Sequence, residues 1–142
     1  MLLILLWVSV IYLIRILPDT IPVHFNFGGQ PDNFGAKSTL ILLPILASVL
    51  YVFLAFIKRM PAQLNYPVKQ TPENKEKLHQ LTIRLLSVLQ VSIILLFGRI
   101  VLDVYLVSIN KPISLYFGVM PFIGLFIVLP VVYYLIKVFG IK

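Results

Sequence analysis

The chain has 142 residues, 60% of them hydrophobic and 12% charged, with no cysteine and a formal net charge of +7. A soluble domain is about 45–50% apolar and about 25% charged, so both departures point to the membrane class. The missing thiols exclude disulfides, thiolate zinc sites and cysteine nucleophiles. No Rossmann or P-loop glycine pattern occurs, and the basic residues cluster beside apolar runs, where membrane topology explains them without nucleic acid.

Residues 1–17 are apolar apart from Ser9 and Arg15. As a helix they span roughly 25 Å, slightly short of a hydrocarbon core of about 30 Å. The run lacks the basic leader and the small-x-small site of a cleaved signal, so a retained helix is expected, with Arg15 snorkelling at its end. The loop 18–38 follows, opening PDTIPVHFNFGGQPDNFGAK. Pro18 and Pro22 stop the helix. Val23, Phe25 and Phe27 alternate with His24 and Asn26, the period-two pattern of a short extended segment. Gly28-Gly29 and Pro31-Asp32-Asn33 supply turn chemistry. The loop is therefore expected to fold back and press its phenylalanines on the bilayer surface or the helix ends, with Ser38 or Thr39 capping the next helix.

A second span is expected over 39–57, with Pro44 inside it, closed by Lys58 and Arg59. The polar connector 58–84 leads to Thr71-Pro72-Glu73, a helix start with a capping hydroxyl, proline at the first position and an acid at the positive end of the dipole. From there an unbroken helical pattern runs to about residue 109. It is too long for the bilayer, so its first turns project before a third span over 85–102. That span carries Ser87, Gln90, Ser92 and Arg99, with Asp103 next. Ser92, Arg99 and Asp103 fall within about 40° of one another on a helix. A fourth span, 113–136, holds Gly118, Pro121, Gly124 and Pro130 and is expected to be kinked or tilted.

Lys58, Arg59, Lys69, Lys75, Lys77, Arg84, Lys137 and Lys142 fall on one side of this arrangement, against Arg15, Lys37, Arg99 and Lys111 on the other. The positive-inside rule then gives an all-α membrane protein of four transmembrane helices, N-in and C-in, with an ordered extracytoplasmic loop between helices 1 and 2. The chain reads as a single domain.

The candidate partner or ligand site gathers Asp19, His24, Asn26, Asp32, Lys37, Arg99 and Asp103 near the outer interface. Arg99 and Asp103 are an i, i+4 pair. They read either as an arginine snorkelling beside its acid or as one wall of a polar site between the third helix and the loop. His24 with Asp19 and Asp32 invites a metal or acid–base reading, but the spacing matches no ligand pattern and favours hydrogen bonds that fix the loop. No nucleophile-and-base pair is apparent, so neither an enzyme nor a cofactor is expected. The 65–74 stretch of the connector reads as structural or as a contact for a partner or anionic lipid.

The loop resembles a short bacterial membrane domain of unknown function that also forms the N-terminal part of SdpI-type immunity proteins, which protect a producing cell from its own toxic peptide. The matching positions are Leu17, Pro18, Ile21, Pro22, His24, Phe25, Asn26, Gly29, Pro31, Asp32, Gly35 and Lys37, joined by Asn65-Tyr66-Pro67 and Thr71-x-Glu73-Asn74. SdpI-type proteins carry further membrane helices after the fourth. The resemblance implies a small multi-pass protein of the bacterial cytoplasmic (inner) membrane. The functional expectation is a non-enzymatic binding or accessory protein, immunity-like in its sharpest form. Through its outer loop it would recognise a peptide, a lipid or a membrane partner, a second copy included. The alternative is a subunit of a small-solute transporter, using Gln90, Ser92 and Arg99 as part of a path.

Overall fold

The computed structural model describes residues 1–26, 30–111 and 119–141. The expected Gly28-Gly29 turn, Phe27, Gly118, the beginning of the fourth span and Lys142 lie outside these residues. The chain is mostly helical. Among the described residues three helices are long and apolar enough to cross a membrane: α2 (Lys37–Ile57), α3 (Lys75–Ser108) and α4 (Val119–Phe139). The first helix, α1 (Leu2–Ile16), is apolar but shorter.

The breaks between elements follow local chemistry. Leu17 ends α1 in an extended conformation, ψ 152°, as a residue before proline must. The expectation of an all-α chain needs correcting at the loop, which folds as a β-hairpin. β1 (Thr20–Phe25) pairs antiparallel with β2 (Pro31–Ala36), Ile21 facing Gly35 and Pro22 facing Phe34, with irregularities on either side of His24. The Asn26 amide donates to the Gln30 carbonyl and the Gln30 amide to Asn26 Oδ1. At the other end the Lys37 amide donates to the Asp19 carbonyl. A side chain at Gly35 would bring its Cβ to 3.1 Å from Val23 Cγ1, so glycine lets the strands close there.

α2 opens as a 3₁₀ turn over Lys37–Ile41 with Ala36 at its N-cap. Neither Ser38 nor Thr39 caps it. Thr39 sits inside the first turn and donates its hydroxyl back to the Ala36 carbonyl at 2.8 Å. Pro44 is buried within α2, and the Ser48 hydroxyl donates to its carbonyl at 2.7 Å while accepting from Trp7 Nε1 of α1 at 3.0 Å.

α3 begins at Lys75 with Asn74 at its N-cap and no side-chain cap bond, later than the start expected at Pro72; a reciprocal pair of bonds ties the turn that precedes it. The Asn74 amide donates to Thr71 Oγ1, the Thr71 amide donates to Asn74 Oδ1, and the Lys75 amide closes the first turn on the Thr71 carbonyl. The pattern is that of a capping box with asparagine in place of the usual Glu or Gln, set in the turn 71–74 ahead of the helix. α3 runs to Ser108, close to the expected end near residue 109 and beyond the span expected over 85–102. There Asn110 takes a left-handed φ of 58°, with Lys111 N–H on the Leu106 carbonyl and Asn110 N–H on the Val107 carbonyl, a Schellman stop. In α4, a π turn over Gly124–Val128 separates two α-helical stretches. It lies just before Pro130, whose missing amide leaves the Phe126 carbonyl without its usual donor.

α3 is the strut on which both apolar clusters are built. At the hairpin end Leu6, Val10, Leu17, Ile21, Leu40, Ala47, Ile94, Val101 and Val104 form the core. At the connector end Leu78 packs with Val138 and Ile141 under Tyr66 and Val68. Outward-facing apolar side chains such as Ile4, Val52, Phe56, Leu129 and Ile136 are exposed, the distribution of surfaces that face lipid rather than water.

Candidate partner-binding site

The hairpin is placed by two residues, Ile21 and Pro22, both fully buried against the helix ends. Phe25 is half-buried and packs on the same core, while Phe34 stands exposed. Phe25 thus packs on the helix ends as the alternation suggests, but the deepest anchors are Ile21 and Pro22. The pleat and the bulge near His24 turn Ile21 and Pro22 inward. Beneath them lies an apolar pocket of about 420 Å³, walled by Phe25, Gly35, Leu40, Leu43, Ile100 and Val104 among others.

All the hairpin acids are paired. Asp19 Oδ1 lies 3.1 Å from Lys37 Nζ, which also donates to the Leu17 carbonyl at 3.1 Å. The hairpin is thereby latched across its open end, where α1 leaves and α2 begins. His24 Nδ1 donates to Asp32 Oδ1 at 2.6 Å, an exposed cross-strand pair near the tip. Among the described residues no group of three His, Asp or Glu side chains gathers around it. Asn26 ties the tip through its bond to Gln30.

Arg99 and Asp103 meet on α3 as a two-pronged pair, Nη2 to Oδ1 at 2.5 Å and Nε to Oδ2 at 3.2 Å. Asp103 is almost wholly buried and Arg99 mostly so. The seven candidate residues do not converge into one constellation. Asp19 with Lys37, His24 with Asp32, and Arg99 with Asp103 are separate pairs, each within its own element or junction. An ion pair between the loop acids and α3 does not hold the hairpin down. Apolar contact of Ile21 with Val104 and their neighbours does.

Arg99 lines a groove between α1 and α3 of about 430 Å³, with Leu6, Ser9, Gly98 and Phe122. Ser92 is buried and donates to the Val88 carbonyl, and Gln90 is buried and donates to the Tyr51 carbonyl. Gln90 and Arg99 are nine residues apart, about 180° around the helix, so they face opposite ways.

Sequence reasoning passed over Lys58. Its Nζ donates to Gln90 Oε1 at 2.7 Å and to Ser87 Oγ at 3.2 Å. Its signal was only that a lysine at a span end faces a span rich in polar residues. His79 belongs to this connector end, accepting from Gln70 and stacked on Tyr66 with ring centroids 5.8 Å apart.

Comparison with known proteins covers part of the chain. A stretch of 56 residues, 39% of the chain, is 36% identical to an uncharacterized protein of Archaeoglobus fulgidus and spans 31% of that protein's length. The chain therefore covers about a third of this curated relative. No solved structure matches. Residues 1–48, which hold α1, the hairpin and the opening of α2, match the family model described as a domain of unknown function, DUF1648.

Proposed function

We propose that the chain is a four-span protein of the bacterial cytoplasmic membrane, with both termini and the connector inside and the hairpin outside. It acts there as a non-enzymatic binding or accessory protein that recognises a peptide or membrane partner through the hairpin. The observation that carries this reading is the construction of the hairpin itself. It is docked by Ile21 and Pro22 and latched by Asp19 and Lys37, yet it presents Val23, His24, Asp32 and Phe34 exposed. A rigid, outward display of mixed polar and apolar groups suits recognition. The excess of lysine and arginine on the connector and the last helix supports the orientation. An immunity-like role, in which the hairpin meets a toxic peptide, is the sharpest form of this reading. A transport path is less well supported, because Gln90 and Ser92 are committed to backbone carbonyls and do not share a groove with Arg99.

Two measurements test it. With single cysteines at Gln30 and Gln70, an impermeant maleimide applied to intact cells should label the first and spare the second. Equal labelling overturns the orientation. A photo-crosslinking residue at Phe34 should capture a discrete product in native membranes that the same residue at lipid-facing Val52 does not. Identical products at both positions overturn hairpin recognition.

A further inference from the structure

The connector end holds a cation that no carboxylate of the described residues neutralises. Lys58 closes α2, half-buried against α3, and its ammonium meets only neutral acceptors among the described residues. Both acceptors are preset. Gln90, 4% exposed, has its Nε2 bound to the Tyr51 carbonyl, which aims Oε1 at the lysine. Ser87 donates its proton to the Ile83 carbonyl at 2.7 Å and so offers Lys58 a lone pair. The five acids of the chain are all engaged elsewhere. Asp19, Asp32 and Asp103 pair with Lys37, His24 and Arg99, Glu76 accepts from Gln80, and Glu73 is held by Thr71. An ammonium has three donors, so one donor and the full charge of Lys58 remain to be matched. A partly desolvated charge without a counter-ion is costly. Arg59 follows directly, and Arg84 lies one turn before Ser87 on α3, both exposed.

We propose that Lys58, held in place by Gln90 and Ser87, is a phosphate site for the headgroup of an anionic phospholipid in the leaflet that faces the connector. The lysine supplies the point charge, and Arg59 and Arg84 supply further donors at the rim. A lipid rather than free phosphate fits because the site borders the apolar spans. On α3 Val88 and Val91, just beyond Ser87, are exposed, a surface for acyl chains when the phosphate reaches Lys58. The proposal rests on the membrane reading but not on any hairpin partner, so it can fail while hairpin recognition stands.

The test uses the purified full chain in phosphatidylcholine nanodiscs with and without phosphatidylglycerol, with retained lipid read by native mass spectrometry. Lys58→Met should retain about tenfold less phosphatidylglycerol, the worth of one charge-assisted bond. Lys58→Arg should keep it, and Lys75→Gln on the exposed connector should not change it. Retention by Lys58→Met equal to the parent overturns the site. An equal loss in Lys75→Gln makes the attraction a diffuse basic surface and also overturns it. Inorganic phosphate raising the unfolding temperature as phosphatidylglycerol does would assign the site to the free anion instead and reject the lipid. If Lys58→Met does not fold, reductive methylation of Lys58 in the parent chain decides. It should fall in phosphatidylglycerol nanodiscs while that of Lys75 holds, and no difference overturns the proposal.

Discussion

At the hairpin end of α3 each acid faces a base, Asp19 with Lys37, Asp32 with His24 and Asp103 with Arg99, whereas at the connector end Lys58 faces an amide and a hydroxyl. The hairpin end pairs all three of its acids within the chain. Its shape is therefore fixed before any partner arrives, and what it offers a partner is surface. The connector end leaves positive charge open and offers attraction. Two ends of one helix are thus suited to different neighbours, a shaped one and a charged one.

The largest way to break this contrast is to unmatch the buried pair. Asp103→Leu leaves Arg99 without its acid in a site largely withdrawn from water and should cost about 3–5 kcal/mol, while Arg99→Met with Asp103→Leu together should recover most of it. Reversible unfolding in mild detergent checks both. Next, Ile21→Ala removes the fully buried hairpin anchor and should cost about 2–4 kcal/mol. Amide exchange over β1 and β2 should accelerate while that of α3 between Leu78 and Leu86 stays unchanged. Acceleration at both ends would show that the two clusters are one unit.

Smaller effects sharpen the contrast. Thr71→Ala removes half of the capping box and should weaken the start of α3 by about 1 kcal/mol, seen as faster exchange over residues 73–78. The Thr71 hydroxyl also holds the Glu73 carboxyl below its usual range, aided by the Glu73 backbone amide. Because that value is depressed on folding, the contribution is present above the ordinary glutamate range and is lost as pH falls through the folded value. In Thr71→Ala the Glu73 titration should move up toward its ordinary position, as carboxyl chemical shifts would report. The smallest effect is Asp32→Asn, an exposed pair expected to cost less than about 1 kcal/mol. Combined with Asp103→Asn it should be additive to within about 0.5 kcal/mol, because the two acids have separate partners. Strong coupling would place them in one network.

What the sequence made legible follows the range over which each signal acts. The long apolar runs and the turn at Thr71 depend on neighbours a few residues away and are legible in composition and turn chemistry, though α3 itself starts later, at Lys75. The β-hairpin depends on matching β1 to β2, and PDNFGA is a poor strand by its own residues. Its pairing is supported by Ile21 and Pro22 docking on the helices, so the extended segment and its fold-back were legible while the second strand was not. Pairing of Lys37 with Asp19 was within the candidate set but its partner was not specified. The contacts of Lys58 with Gln90 and of Trp7 with Ser48 join residues 32 and 41 positions apart. No local pattern encodes them.

The π turn of α4 has a consequence for how one helix meets both ends of α3. Phe122, before the turn, borders the Arg99 groove, while Tyr134 after it bonds to Thr82 and Val138 packs on Leu78. Phe122 and Tyr134 are twelve positions apart, which in a regular α-helix sets them about 120° out of phase. A π turn admits about one extra residue and takes back about 100° of that rotation, leaving the two side chains within about 20°. Gly124–Val128 thus acts as a vernier, bringing two halves of α4 that would otherwise look in different directions onto a single line along α3. Deleting one residue there would leave the helix intact and turn its lower half away from Thr82 and Leu78.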